Sequence, residues 1–396
     1  MKYFKLNRFF YILTILAVIF TVTTCKDSGN SVCKHQWEYV ITKEASETEE
    51  GLKTEVCSVC AIASGKTEII PRISSTLEES VYISGWHTIN SRTACYWKDG
   101  VRIDLSPGDV CIAYSIAVSD GSVYVAGVYF DAYGVKRACY WKDGVRIDLS
   151  DGVESDACSI VVSSGSVYVA GTYYLENGAS VVCYWKDGEL IEVDDREGST
   201  VNSMAVSDGS VYLAGHYNDY LSWKACYWKD GERIDLGVHP HLHSQNTAYD
   251  ITISNGSVYA AGWNYDYNSD GMTASYWKDG VRTDITSFNT EGRSSAQAIY
   301  VSDGSVYVSG YIEKPNTACY WKGGVKTNLN SDSGGTSNIA RAIAASNGTV
   351  HAAGNIGGGT TKACYWKDGV RTELTVPAGA FSSDATGLVI VVNVIE

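Results

Sequence analysis

From Val81 onward the chain alternates short apolar runs with two-residue breaks, most of them Asp-Gly. One unit shows the pattern. Ser115–Ser119 is apolar or small, Asp120-Gly121 breaks it, and Val123–Val128 resumes it. After a polar stretch come Arg137–Trp141, a second break at Asp143-Gly144, and Val145–Leu149. Each run has strand length, and Asp-Gly tolerates the positive φ of a tight hairpin turn. The pattern predicts four antiparallel strands, A to D, with no sustained helical period. Strands A, B and C are apolar on both faces and are expected to be covered on both. Strand D alternates, with Val101, Ile103 and Leu105 on one face and Arg102 and Asp104 on the other, so it is expected to be a half-exposed outer strand.

The unit recurs. "ACYWKDGVRIDL" occupies Ala94–Leu105, returns unchanged at Ala138–Leu149, and has near-copies around Trp185, Trp228, Trp277, Trp321 and Trp366. A near-fixed period of about 44 residues means a propeller, solenoid or array. Sheets packed face to face around an axis account for the burial gradient from A to D, and an open row of sheets is the alternative. The first unit lacks a strand A and starts at strand B, Val81–Gly85, while the last is followed by an orphan run, Gly387–Val394. The fold expected is all-β: a seven-bladed β-propeller of four-stranded antiparallel blades over 76–396, with the C-terminal strand completing the first blade and removing two open edges.

The repeats resemble the HAF-type extracellular repeat family. Its unit carries A-x-x-W-x-x-G with a Leu ending, then an Ile-containing strand and a G-x-V element closed by a further Gly, standing here as Ala138, Trp141, Gly144 and Leu149, then Ile160, Gly165, Val167 and Gly171. The resemblance implies a propeller in an extracytoplasmic setting and carries no shared chemistry. Recurrence in every unit marks Trp141 and its equivalents as packing between blades. The Cys before Tyr-Trp recurs too, at Cys95, Cys139, Cys183, Cys226, Cys319 and Cys364. Sheets stack about 10 Å apart, too far for a disulfide, so these are expected to be buried free thiols.

The N-terminal part differs. Lys2, Lys5 and Arg8 precede an apolar stretch, Phe9–Val22, which is too short for a convincing span. Val22-Thr23-Thr24-Cys25 resembles a bacterial lipoprotein signal of the looser, spirochaete-like kind. Residues 1–24 are read as signal peptide, Cys25 as the lipidation site and 25–32 as a tether. The implied localisation is exported and membrane-anchored, at a cell surface or periplasmic face, with membrane contact through the lipid only. Residues 33–72 hold Cys33, His35, Cys57 and Cys60, four soft ligands that suit a closed structural Zn²⁺ site. A Cys57–Cys60 or Cys33–Cys57 disulfide is the alternative. The stretch also resembles a small module beside bacterial surface domains, C-x-H-x-W then C-S-V-C.

Composition narrows function. Lys and Arg total 31 against 45 Asp and Glu, a formal charge of −14, which argues against a nucleic-acid binder. The Asp-Gly turns form one uniform face, and the B–C and D–A loops, which differ in every unit, form the other. Individual loops on a copied scaffold are where binding is expected. Tyr133, Tyr220, Trp223, Tyr265 and Tyr267 are the candidate partner-binding residues, for a protein or carbohydrate ligand. Asp266, Asn268 and Asp270 match the opening of a Ca²⁺ loop, and His239, His241 and His243 alternate as metal ligands can. No Ser-His-Asp signature, phosphate loop or distinctive carboxylate pair is present, so the expectation is a monomeric binding protein and not an enzyme. A glycan lyase or hydrolase using the same face or the axial channel is the alternative.

Overall fold

The computed structural model describes residues 36–43, 49–58, 63–70, 76–150, 152–196, 198–219, 222–237, 245–266, 271–329, 337–358 and 360–395. Among them the chain forms eight antiparallel sheets, one of three strands and seven of four. It divides into two compact units, one of them residues 80–391.

In the smaller unit Trp37–Lys43, Gly51–Cys57 and Ala63–Ile70 pair in chain order. Trp37 lies opposite Cys57, and the Ser58 amide donates to Gln36 O at 2.8 Å. Cys57 is buried. Cys25, Cys33, His35 and Cys60 lie outside the described residues.

In the larger unit every four-stranded sheet repeats one order, A-B-C-D. The second sheet has Cys111–Ser119, Ser122–Phe130, Lys136–Lys142 and Val145–Asp148. The first takes strand A from the C-terminus: Ser382–Ile395 joins Thr76–Thr88, Arg92–Lys98 and Val101–Asp104. Strand A of each sheet abuts strand A of the next, from Cys111–Ser119 through Ile339–Ser346, which makes these the innermost strands. Trp97 of the first sheet packs with Ala353, Ala363 and Leu374 of the seventh, so the last sheet meets the first. The architecture is that of a β-propeller.

The copied residues have copied jobs. Among the described residues the Asp-Gly hairpin turns, from Asp99-Gly100 to Asp368-Gly369, take positive φ at both positions, near +50° and +80°, the type I′ geometry that matches strand twist. The Asp between strands C and D does more. The Asp143 amide donates to Val123 O at 2.9 Å, and its carboxylate accepts the Val123 amide at 2.8 Å. Asp99, Asp187, Asp230, Asp279 and Asp368 clamp their own strand B in the same way. Asn255-Gly256 and Asn347-Gly348 adopt the same turn.

The repeated Trp is fully buried in all seven sheets. Its ring and a bulge explain the Gly ending each "V-x-x-x-G". In strand A of the second sheet the register shifts between Ala113 and Ser115, so Tyr114 is bulged out. A Cβ on Gly127 would collide with the Ile112 carbonyl oxygen at that bulge and press on the Trp141 ring. Gly85, Gly171, Gly215, Gly262, Gly310 and Gly354 face the same obstacle on the carbonyl side. The Cys of the motif is buried at every described position, and burial pushes the Cys95, Cys139 and Cys226 thiols far above the ordinary range.

Strand D is half-exposed, as expected, with burial graded along it: Val101 is 67 % exposed, as are Val145, Val281, Val325 and Val370 to a similar degree, whereas Leu105 and Leu149 at its end are buried and Ile147 packs against the core. On the other face Arg146 lies 3.9 Å from the Tyr129 ring centre and pairs with Asp148 at 2.9 Å. Arg233 repeats this over Tyr217 at 3.7 Å, with Asp235. The closing strand starts at Ser382, five residues before the apolar run suggested, because its first part is polar "SSDATG" and shows no apolar period.

Candidate functional site

Two-residue turns at one end leave the B–C and D–A connections at the other. The candidate residues there do not converge. Tyr133 is 91 % exposed at a turn held by Asp131, which accepts the Tyr133 and Val135 amides at 2.9 Å. Trp223 opens strand C of the fourth sheet, 43 % exposed, stacked on His216 at 5.2 Å. Tyr265 ends strand B of the fifth sheet, opposite Met272 and half-buried. The three stand on different sheets. Tyr220 and Tyr267 lie outside the described residues, as do Asn268 and Asp270 of the Ca²⁺ motif, the Asp266 side chain, and His239, His241 and His243.

Other aromatics after strand B are committed to packing. Tyr173 OH donates to Glu192 at 2.5 Å, and burial followed by this bond pushes its phenol up to about 12. Tyr129 and Tyr217 lie beneath Arg146 and Arg233.

The structure reveals a set that the sequence reading missed. The bulge of the second sheet recurs in the third to seventh, displacing Cys158, Asn202, Tyr249, Gln297 and Arg341. Thr386 takes the equivalent place in the closing strand, two residues after Asp384, whose carbonyl abuts Gly85. All seven are half-exposed, and the residue before each is buried. Several of them bind across to neighbouring backbone or side chains: Cys158 Sγ donates to Val201 O at 3.4 Å, Asn202 Nδ2 to Ala248 O at 2.8 Å, Thr386 Oγ1 to Ala113 O at 2.9 Å and Gln297 Nε2 to Ser295 Oγ at 2.8 Å. They sit in the half of strand A nearer the loop-rich end.

The sequence signal was available. The position before repeats Ala or Val, whereas this one reads Thr, Tyr, Cys, Asn, Tyr, Gln, Arg from the first sheet to the seventh. It stayed hidden because a bulge breaks the period of two, and position within a strand cannot be assigned across an unsuspected extra residue.

Ion pairs flank these positions. Arg341 Nε pairs with Asp384 at 3.0 Å, and Lys136 with Asp156 at 2.6 Å. Tyr174 OH also points to Asp156, at 3.4 Å. Burial raises the Tyr114 phenol to about 12, so it stays a neutral donor. Burial lowers His216 to about 4, which keeps it uncharged at neutral pH, with Nδ1 2.7 Å from Thr247 Oγ1. Three aromatics gather at one side: Trp263 Nε1 donates to Tyr249 OH at 3.1 Å, and Tyr311 lies close enough to feel the Tyr249 phenol. One layer below, Asp250 accepts from Ser203 Oγ at 2.7 Å and from the Ile251 and Ile299 amides at 2.9 and 2.8 Å. Among the described residues no cluster of metal-ligating type occurs.

No protein-family model matches the chain, and no curated protein matches it. Solved structures do. Puromycin hydrolase is 12% identical over 76% of this chain and 53% of its own, with a TM-score of 0.52. This chain therefore spans about half the length of that protein. The β-propeller domain of the Trilobed protease from Pyrococcus furiosus is 11% identical over 77% of this chain and 97% of that one, TM-score 0.47. TolB from Acinetobacter baumannii is 12% identical over 77% and 81%, TM-score 0.45. The latter two carry no argument, and the propeller assignment rests on the sheet order. The first corrects one expectation. A fold shared with a protein named as a hydrolase removes the ground for reading this chain as not an enzyme. At that identity the likeness concerns the fold alone, and enzyme status is not established.

Proposed function

We propose that the seven four-stranded sheets are the blades of one seven-bladed ring, and that its loop-rich face binds a protein or glycan partner. The observation that carries this is the contrast between the two ends. At one end the same turn recurs with the same φ values, and the carboxylate clamp recurs in six of the seven sheets. At the other end the loops are individual, and the bulged position of strand A changes from sheet to sheet. A scaffold copied for stability, with variation confined to one end, is the pattern of a recognition face.

In this proposal the chain is exported as a monomer, lipidated at Cys25 and tethered through 25–32. Residues 33–72 hold one structural zinc through Cys33, His35, Cys57 and Cys60. The buried Cys57 thiol and the bond from Ser58 to Gln36, which ties the start of the first strand to the residue after Cys57, support that module. The zinc would supply folding energy to a sheet with little core. The HAF-type character rests on the quoted repeat residues, and the Ca²⁺ site on Asp266, Asn268 and Asp270.

The test is capture of a partner by the full chain, from surface extract or a glycan array, followed by Tyr133→Ala and Trp223→Ala. Both residues are exposed and support little core, so melting should be nearly unchanged while affinity falls, by about 2 kcal/mol if they are anchors. Undiminished binding in both variants, or binding lost only on changing the turns at Asp120 and Asp208, would assign the working face to the other end.

A further inference from the structure

The loop-rich end, proposed to be the binding end, is uneven in its chemistry. In sheet after sheet the residue leading into strand A is joined to the loop that follows strand B. In the first sheet the Phe381 amide donates to Thr88 O at 3.0 Å, which sets Phe381 beside Ile89. In the second the Phe130 amide donates to Val110 O at 2.9 Å, and Tyr133 stands in the loop beyond. In the third the Tyr174 amide donates to Glu154 O at 2.9 Å, and Val153 and Leu175 flank that bond. These six side chains are exposed, from 39 % at Ile89 to 91 % at Tyr133. Elsewhere the same joint is polar or carries glycine. It is Gly198 against Asn218 in the fourth sheet, Arg293 with Glu313 in the sixth, and Ser337 with Gly357 in the seventh. In the fifth, Gln245 lies opposite the half-buried Tyr265.

A single exposed apolar residue is ordinary on a protein surface. Six of them, at one joint of three consecutive sheets that pack on one another, form an arc. Sheets pack about 10 Å apart, so the arc runs about 20 Å from the first to the third. Most of its members are aliphatic, and burying them takes apolar surface on the partner, which the hydroxyls of a glycan do not offer. Charge narrows the partner further. Glu154 and Glu176 stand exposed beside Val153 and Leu175. Of the neighbouring cations, Lys136, Arg137 and Arg146 pair with Asp156, Asp131 and Asp109. Arg92 is exposed, but it lies over the Trp86 ring at 4.8 Å and its charge acts on Asp384. The chain's formal charge of −14 favours a positive partner at longer range.

We propose that this arc docks a segment of another protein that presents apolar side chains together with Lys or Arg. The proposal rests on the loop-rich end being the binding end, and it selects a protein over a glycan. An extended segment of about six residues spans the arc.

The probe is a library of displayed random peptides panned against the full chain, with a glycan array and phosphatidylcholine vesicles run alongside. The selected peptides are expected to combine apolar residues with Lys or Arg. One of them, synthesised, should bind the double variant Val153→Ser with Leu175→Ser about tenfold or more weakly than the parent. It should bind Glu154→Lys with Glu176→Lys more weakly too, and that variant should lose the slowing of association by added salt. Melting temperatures should stay close to the parent's, because all four side chains are exposed. Selection of acidic or wholly polar peptides overturns the assigned chemistry. Peptide binding that survives both double variants but fails in Arg293→Ala, at the joint of the sixth sheet, overturns the arc and leaves the loop-face reading standing. Binding to glycans or vesicles without peptide binding overturns the choice of a protein. The glycan result leaves the loop-face reading standing if Tyr133→Ala or Trp223→Ala abolishes it. Peptide binding that survives every loop change, or no binding to any probe at millimolar concentration, overturns both.

Discussion

At the scale of single residues, the most informative position is the one where the copy is imperfect. Six of the turns between strands C and D carry Asp, and the sixth sheet carries Gly323-Gly324. The backbone half of the clamp persists there, since the Gly323 amide still donates to Val306 O at 2.9 Å. The carboxylate half is missing. Gly323 sits at φ +55°, as Asp does elsewhere, and a Cβ there meets nothing within 4 Å. Gly323→Asp should therefore raise stability by about 1 kcal/mol, the balance of one charge-assisted hydrogen bond and reduced unfolded-state freedom against the modest cost of an Asp at positive φ. A higher urea midpoint at unchanged slope is the expected reading, and a lower one would mean that Val306 is already satisfied. A second recurring bond joins neighbouring sheets. The Ala138 amide at the start of "ACYW" donates to Ser155 Oγ at 2.9 Å, in the next sheet. Cys111, Asn246, Ser294 and Ser383 accept the corresponding amides at their own junctions. Both partners are buried, so Ser155→Ala strands a donor and should cost about 1–3 kcal/mol in equilibrium denaturation.

At the scale of the strand, much was legible and the remainder has physical causes. Periods of two, Asp-Gly turns and the seven-fold repeat are local signals, and they located strands A to D to within a few residues. The outer strand is half-exposed as read, but alternation does not say how burial is graded along it, so Val101 beside the turn is exposed while Leu105 at the far end is buried. The bulge in strand A was missed because it adds a residue with no turn signal to announce it. The bulge also makes a prediction. Gly127→Ala has no room, since its Cβ would meet the Ile112 carbonyl and the Trp141 ring, both held in a dense core. The strand must flatten its bulge or shift the Trp, at a cost of about 1–3 kcal/mol or more. The same change at Gly121, in a turn with open space around its Cβ, is limited to the conformational penalty at φ +78°. Comparing the two variants by thermal melting separates crowding from backbone strain, and equal losses would exclude the crowding account.

At the scale of the whole ring, stability depends on junctions between sheets, and one of them is titratable. Deleting 382–396 removes strand A of the first sheet, the acceptor Ser383 and the Arg341–Asp384 pair together. The open edge of Thr76–Thr88 should lower the melting temperature sharply and promote self-association, detectable by light scattering. Asp250 is a subtler link. It stands where the second to fourth sheets have Ser115, Ser159 and Ser203, and it ties the fourth sheet to the sixth through Ser203 Oγ and the Ile299 amide. Burial outweighs the three hydrogen bonds that favour its charged form and lifts its carboxyl to about 6. An unfolded Asp titrates near 3.9. A folded pKa above the unfolded one means that the native state binds the extra proton. The group's favourable contribution is then complete below about pH 4 and is lost as pH rises through about 6. Many other carboxylates titrate across that window, so the wild-type curve alone is uninformative. The difference in unfolding free energy between wild type and Asp250→Asn cancels their contributions. That difference should shift against the wild type from about pH 4 to about pH 7 and flatten above it. A difference independent of pH would show that Asp250 is ionised throughout and that its three donors, not burial, govern the junction.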